Sequence, residues 1–268
     1  MIEVFRQSLN GYRVGLAAVS LGLFAISLII VYTFEAFGGA AAFEEVFELL
    51  PDGIKALIRV QGGFAPNAEG YLAADYRHPI YLISVSAFVM AVAVGAVARE
   101  IERGTILMLL AAPIARWRYL GAKTGALVIA ILVLMVAAFA GTWTGVLVTG
   151  LGGDVDMSVF VRVQVNTFAL ALAIGGIALL VSVLDSDGGH ALGIVTGIVV
   201  TMYFVDFLSV LWGPAEPLGP ATVFHYYDPL RIAQESGMPV RDTLVLLAVA
   251  AIGMAAAFVV FQRRDIAR

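Results

Sequence analysis

Two charged side chains lie inside apolar stretches of this sequence, where an ionisable group most often has a function. Arg162 is near the start of one stretch and Asp206 is near the end of the next. At 1.5 Å per helical residue, both lie at similar depths from the same end, about 5 Å and about 8 Å. A charge in lipid is costly unless it is paired. The sequence therefore predicts an ion pair between Arg162 and Asp206. Independent contact of each with headgroups and water is the alternative.

Nucleotide and metal chemistry find little support in the sequence. Residues 121–124 (GAKT) resemble the end of a phosphate-binding loop, but Ala122 stands where that loop requires glycine. His78, His190 and His225 lie in separate segments without the spacing of metal ligands. The absence of cysteine excludes thiolate ligands, thiol nucleophiles and disulfides. We expect no cofactor and no metal on this chain itself.

The segment 99–123 contains the most informative group of charged residues. Gly104 predicts a break in a helix, and Thr105 can cap a short apolar helix over 106–112, which would end before Pro113. A short helix across the membrane face, tied to two membrane spans, could be moved by a soluble partner. An ordinary interfacial loop is the alternative. The candidate coupling residues are Glu100, Glu102, Arg103, Gly104 and Thr105.

The composition shows what kind of fold must hold these residues. Of 268 residues, 61% are hydrophobic and 13% are charged, whereas soluble domains carry about 25% charge. A soluble fold of this size buries only about 75% of its surface, so lipid must solvate much of this chain. The formal net charge of −4 gives no reason to expect nucleic acid as a partner.

Hydrophobic stretches long enough to cross a bilayer predict an all-α integral membrane protein with six transmembrane helices in a single domain, 1–268. The first stretch is longer than the 7–15 apolar residues of a signal peptide, which favours a span over a cleaved leader. Small residues spaced four apart, typical of close helix packing in lipid, occur at 141 and 145 and at 189, 193 and 197. The predicted spans are 14–34, 80–98, 124–149, 159–184, 191–211 and 243–261.

The distribution of basic residues predicts that both termini are cytoplasmic. With that orientation, ten of the sixteen Lys and Arg residues lie in inner segments and five in outer ones. The acidic inner loop 185–190 fits this pattern poorly, since it has no basic residue. Helical spacing of apolar residues also predicts short amphipathic interfacial helices, one over 1–13 on the inner side and two on the outer side, near 43–50 and 54–58.

These segments together resemble a known family, the export permeases of ATP-binding cassette (ABC) transporters, in their six-span, type-2 form. The span count and loop sizes agree over essentially the whole chain. The acidic loop 185–190 departs from the pattern, because relatives usually carry basic residues there. The residues that carry the resemblance are Glu100, Glu102, Gly104, Thr105, Leu109, Leu110, Pro113, Arg116, Leu120 and Lys123, with weaker matches at 224–229 and 263–266.

The resemblance implies a multi-pass cell-membrane subunit, not itself an enzyme, that works with a separate cytoplasmic ABC ATPase. ATP and magnesium would bind to that ATPase, and the five coupling residues would dock on it. A second permease copy or a paralogue would complete a homo- or heterodimer that moves a substrate outward. Few polar side chains lie in the spans, which favours an apolar or amphipathic substrate. A non-transporting anchor or regulatory subunit of an ATPase complex is the alternative function.

Overall fold

The structure, a computed structural model, describes residues 2–39, 67–106, 115–153, 155–235 and 237–264, together with residues 42, 45, 49 and 51. The predicted outer helices near 43–50 and 54–58 fall almost entirely outside these residues. Most of the predicted coupling helix over 106–112 also falls outside them.

Within the described ranges all regular structure is helical, as the sequence predicts. Three 3-10 segments, Leu151–Gly153, Gly213–Ala221 and Phe224–Tyr226, lie in the connections. The α-helices are α1 (Ile2–Ala36), α2 (Ala68–Arg77), α3 (Pro79–Val94), α4 (Ala98–Glu102), α5 (Arg116–Thr149), α6 (Met157–Leu184), α7 (Gly188–Leu211), α8 (Pro229–Glu235) and α9 (Val240–Arg263).

Five of these helices, α1, α5, α6, α7 and α9, are long and apolar enough to cross a membrane. Helices α2 and α3 form a pair bent by 43° that would serve as a sixth span. The bend lies at His78, which has extended backbone angles (φ −61°, ψ 136°), because the residue before a proline avoids the helical region. The described part of the chain therefore has five helices that could span a membrane, or six if the bent pair is one broken span.

Three predicted boundaries differ from the structure. The third spanning helix, α5, begins at Arg116 rather than at 124, so the last part of the predicted loop 99–123 is helical. The segment 1–13 is not a separate interfacial helix, because α1 continues from Ile2 to Ala36 without interruption. The second span, predicted over 80–98, ends as a helix at Val94, where Gly95 and Ala96 interrupt it before α4 begins. The last turn of that predicted span is therefore a break in the helix, and only Ala98 of it belongs to α4.

Helix α6 is the centre of the bundle. In its most apolar stretch 72% of the residues are buried, against 17% in the corresponding stretches of α1 and α7. Helices α3, α5 and α9 pack around α6, and α1 packs along α5. Most of the surface of α1 and α7 is therefore left to face lipid or another protein.

Glycines permit the closest helix contacts. A methyl group on Gly141 of α5 would lie 2.3 Å from the carbonyl oxygen of Phe24 in α1. Helices α6 and α9 meet through Gly176 and Gly253, and a methyl group on Gly253 would lie 2.8 Å from the Gly176 carbonyl carbon. By contrast, Gly193 and Gly197 of α7 have open space beside them.

Candidate functional site

The end of the bundle that carries the segment 99–123 also carries both termini of the described chain. The side chain of Arg116 donates a hydrogen bond to the carbonyl of Phe261 (3.3 Å) and another to that of Arg264. Gln7, near the start of α1, lines a cavity together with Arg99 and Lys123. The loop 185–190 lies at this same end, since Arg264 contacts it. We call the region Gly95–Thr105 at this end the elbow.

Ser182 of α6 holds the break between α3 and α4 together. Its hydroxyl donates a hydrogen bond to the Val94 carbonyl (2.9 Å) and accepts from the amides of Val97 (3.3 Å) and Ala98 (3.1 Å). These amides lie at the start of α4, where no residue of the helix itself can accept from them. The side chain is fully buried. One hydroxyl therefore stabilises both sides of the break and attaches it to the central helix.

Glu100 links the elbow to α5. Its Oε1 lies 2.8 Å from Nζ of Lys123, and its other oxygen accepts a hydrogen bond from the Thr105 hydroxyl. Thr105 Oγ1 also lies 3.1 Å from the Glu100 carbonyl oxygen. Burial opposes ionisation of Glu100, but the hydrogen bonds from Lys123 and Thr105 and the nearby positive charges outweigh it and lower its pKa. Glu100 is therefore a stable carboxylate at neutral pH.

Glu102 links the same elbow to α7. Its Oε2 accepts a hydrogen bond from the amide of Gly188, the first residue of α7 (3.0 Å). A carboxylate is favoured at this position by the free amides and the dipole at a helix N-terminus. A side chain at Gly188 would collide with Glu102 and Arg99, because its first carbon would lie 2.9 Å from Glu102 Oε2. Glycine is thus required for α4 to approach α7 so closely.

The chain turns sharply directly after these two carboxylates. Gly104 has φ +69°, in the left-handed region that glycine adopts without strain. The predicted helix break at Gly104 is therefore present, and Thr105 folds back on Glu100 as described above. Arg103 is exposed beside the turn. The five predicted coupling residues thus lie together in one short element with contacts to α5, α6 and α7.

The acidic loop 185–190 lies against the side chain of Arg264, which directly follows α9. Arg264 donates from Nη1 to the carbonyls of Val183 (2.6 Å) and Asp185 (2.7 Å), the last acceptors of α6. Hydrogen bonds from the backbone amide of Asp187 and other groups outweigh the slight burial of Asp185 and lower its pKa. Within the loop, His190 Nδ1 lies 2.5 Å from Asp185 Oδ2, so Arg264 holds the backbone of the loop while His190 contacts its first carboxylate.

The predicted ion pair between Arg162 and Asp206 is replaced by other partners. Asp206 lies 3.6 Å from a guanidinium nitrogen of Arg77 and 4.0 Å from Nδ1 of His225. Arg162 instead donates to the Ser158 hydroxyl (3.0 Å), one turn earlier on its own helix. The prediction failed because it considered charges within spans alone, whereas Arg77 comes from α2, in a segment predicted to lie outside the membrane.

Arg77 joins three elements at this opposite end of the bundle. It contacts Asp206 of α7 and Asp228 (3.8 Å), and it donates to the Tyr227 carbonyl (3.0 Å). Arg77, Asp206 and Asp228 border an open cavity of about 380 Å³ that is also lined by Arg241. The arrangement fixes the connection between α7 and α9 against the bent α2–α3 pair. Its charges nearly balance, which indicates a structural role.

The sequence reasoning missed Ser182, Arg264 and Arg77. A lone serine on an apolar helix gives no sign that it bonds to a break in another helix. Arg264 belongs to the weak match to the permease family at 263–266, and the sequence does not indicate which groups it would contact. Within the part of the chain that the structure describes, no group of three or more His, Asp or Glu residues could hold a metal ion.

Comparison with known proteins agrees with this architecture. The family model of the ABC-2 family transporter proteins matches residues 16–266, which is nearly the whole chain. The chain belongs to the ABC-2 transporter family. The resemblance inferred from the sequence is thereby confirmed, and members of this family are membrane subunits without catalytic activity of their own. No curated protein matches the sequence.

Proposed function

We propose that this ABC-2 family protein is the permease subunit of an ATP-driven exporter that pairs with a separately encoded cytoplasmic ABC ATPase. The elbow is the observation that supports this proposal most directly. It is a compact charged element at one end of the bundle, with contacts to three spanning helices. The excess of basic residues at this end supports a cytoplasmic location for it.

The elbow offers a direct route by which an ATPase could move the spans. A displacement of α4 would act on α5 through Glu100 and Lys123, and on α7 through Glu102 and Gly188. The same displacement would act on α6 through the hydrogen bonds of Ser182. Such coupling requires that the ATPase contact the elbow differently in its two nucleotide states. The predicted coupling helix over 106–112 would follow the elbow directly and complete the docking surface.

The proposed substrate pathway lies at the interface between two permease copies. Helices α3 and α7 border an almost wholly apolar groove of about 390 Å³, lined in part by Met90, Val199 and Phe204. Phe204 is 57% exposed, and Gly193 and Gly197 leave α7 open to close approach by another helix. An apolar or amphipathic substrate suits these walls. Either a second copy of this chain or a paralogue would complete the dimer.

The test is ATP hydrolysis by the reconstituted complex, with the ATPase taken from a neighbouring reading frame. Glu102→Arg places a cation against the N-terminus of α7 and breaks the hydrogen bond to Gly188. We expect the permease-dependent stimulation of hydrolysis to fall about tenfold, a coupling loss of about 1.4 kcal/mol. Membrane insertion should be unchanged. Glu216→Arg, the same substitution on an exposed residue at the opposite end of the bundle, is the matched control.

Unchanged stimulation in Glu102→Arg would refute the assignment of the elbow. The alternative function, a regulatory anchor that moves no solute, is tested in the same proteoliposomes by adding candidate apolar and amphipathic substrates. A transporter shows substrate-stimulated hydrolysis and accumulation of substrate on one side of the vesicle. An anchor shows neither.

A further inference from the structure

A second cavity, of about 400 Å³, lies between α1 and the elbow and has two chemically different halves. Toward the middle of the bundle its walls are apolar and include Gly15 of α1 and Phe88 and Val92 of α3. Toward the end of the bundle its walls carry charged residues, the side chains of Arg99, Glu100, Arg103 and Lys123. The cavity thus passes from apolar to polar where a membrane passes from acyl chains to headgroups.

The charged half has an excess of positive charge. Lys123 is neutralised by Glu100, with 2.8 Å between Nζ and Oε1. Arg99 and Arg103 form no salt bridge with any residue that the structure describes, although Arg103 lies near enough to Glu100 to help lower its pKa. The charged half therefore has three cations, Arg99, Arg103 and Lys123, against the single carboxylate of Glu100. Arginine binds phosphate well, because its planar group donates two parallel hydrogen bonds.

The wall of the cavity also contains an unused hydrogen-bond donor. The hydroxyl of Tyr12 is buried and has no hydrogen-bond partner among the described residues. Its ring packs edge-on against Phe88, with 6.2 Å between ring centroids, which holds the tyrosine at the boundary between the two halves. A buried hydroxyl without a partner is uncommon in proteins. The ester oxygens of a glycerophospholipid would be suitable acceptors for it.

We propose that this cavity, the α1–elbow groove, binds an anionic phospholipid. The phosphate would lie between Arg99 and Arg103, and one acyl chain would extend along Gly15, Phe88 and Val92. Basic pockets between membrane helices are known to bind anionic headgroups. A zwitterionic lipid fits less well, because its ammonium group would meet two arginines and a lysine. The inference uses the proposed function only to assign the leaflet, which would be the cytoplasmic one.

The position of the groove connects the lipid to the elbow. Lys123 lines the groove and is also the partner of Glu100, so a bound phosphate would compete with Glu100 for the same ammonium group. Arg99 and Arg103 lie in and just after α4, between Gly95 and Gly104. Occupancy of the groove would therefore favour one position of α4 relative to α1 and α5.

Native mass spectrometry of the purified chain in detergent tests this proposal. Phosphatidylglycerol and phosphatidylcholine with identical acyl chains are titrated against the wild type, against Arg99→Gln/Arg103→Gln and against Arg13→Gln/Arg118→Gln. The last variant removes the same charge at the same end of the bundle from residues that do not line the groove. We expect the wild type to prefer phosphatidylglycerol and the groove variant to bind it on the order of 30-fold more weakly. The control variant should bind like the wild type.

Equal binding of the two lipids by the wild type, or an equal loss in the control variant, would overturn the proposal. Displacement of the lipid by millimolar inorganic phosphate would also overturn it, since the site would then recognise free phosphate. Should the groove variant aggregate, Gly15→Leu narrows the apolar half without changing charge and should weaken binding similarly. The measurement needs neither ATP nor a partner, so its failure is distinct from failure of the transporter proposal.

Discussion

Ser182 makes three hydrogen bonds at the break between α3 and α4, although α6 is otherwise apolar around it. Arg264 likewise serves carbonyls at the end of a helix that it does not belong to. Ser182 pairs with backbone groups at the break between α3 and α4, and Arg264 pairs with carbonyls at the end of α6. Lipid could not form these hydrogen bonds, and neither could the helices themselves. At the scale of residues, the polar groups of this end of the bundle act where helices begin, end or break.

Replacement of Ser182 by alanine should destabilise the elbow. The amides of Val97 and Ala98 would lose their acceptor while remaining buried, at a cost of about 1–3 kcal/mol. We expect a lower midpoint of thermal unfolding in detergent and faster hydrogen exchange at these two amides. Ser84→Ala is the matched control, because that hydroxyl bonds only to a carbonyl of its own helix, Ile80 (2.7 Å). An equal effect of the two substitutions would contradict the role given to Ser182.

At the scale of helices, glycine positions decide which pairs pack closely. The sequence predicted close packing at Gly141 and Gly145, and both face α1. It also predicted a packing stripe at 189, 193 and 197, but a methyl group on Gly193 or Gly197 would meet no described residue within 4 Å. Spacing alone shows that a helix can be approached closely, while the identity of the partner depends on tertiary structure. The contact through Gly176 and Gly253 was missed because these glycines lie on different spans.

Gly141→Ala tests the packing of α1 against α5. The added methyl group would lie 2.3 Å from the Phe24 carbonyl oxygen, so one helix backbone must move, and such overpacking costs about 1–3 kcal/mol. The unfolding midpoint in detergent should fall. Gly22→Ala on α1, where a methyl group has nothing within 4 Å, should leave it unchanged or slightly higher. A neutral Gly141→Ala would mean that the two helices are not in close contact.

At the scale of the whole molecule, composition and hydropathy predicted an all-helical membrane protein and the regions of the long apolar helices. They did so because lipid imposes a minimum length and an apolar surface on every span. The break at Gly95 was not predicted, since the stretch around it is apolar overall. Helix α2 and the bend at His78 were not predicted because Glu69, Asp75 and Arg77 make that segment polar, so it was assigned to an outer loop. The partners of Asp206 were not predictable either, because Arg77 is far from it in sequence and in a different kind of segment. The helix break at Gly104 was predictable because charged residues and a glycine cluster there in the sequence, while the coupling role of the surrounding residues stays a prediction.

We propose that the elbow is cytoplasmic and is contacted by a separate ATPase. A photo-crosslinking amino acid placed at Arg103, exposed beside Gly104, and another at Glu216, exposed at the opposite end, test it in cells that express the chain with its neighbouring ATPase. We expect a covalent adduct with the ATPase from position 103 and none from position 216. An adduct from 216, or none from 103 in a complex that copurifies, would contradict it.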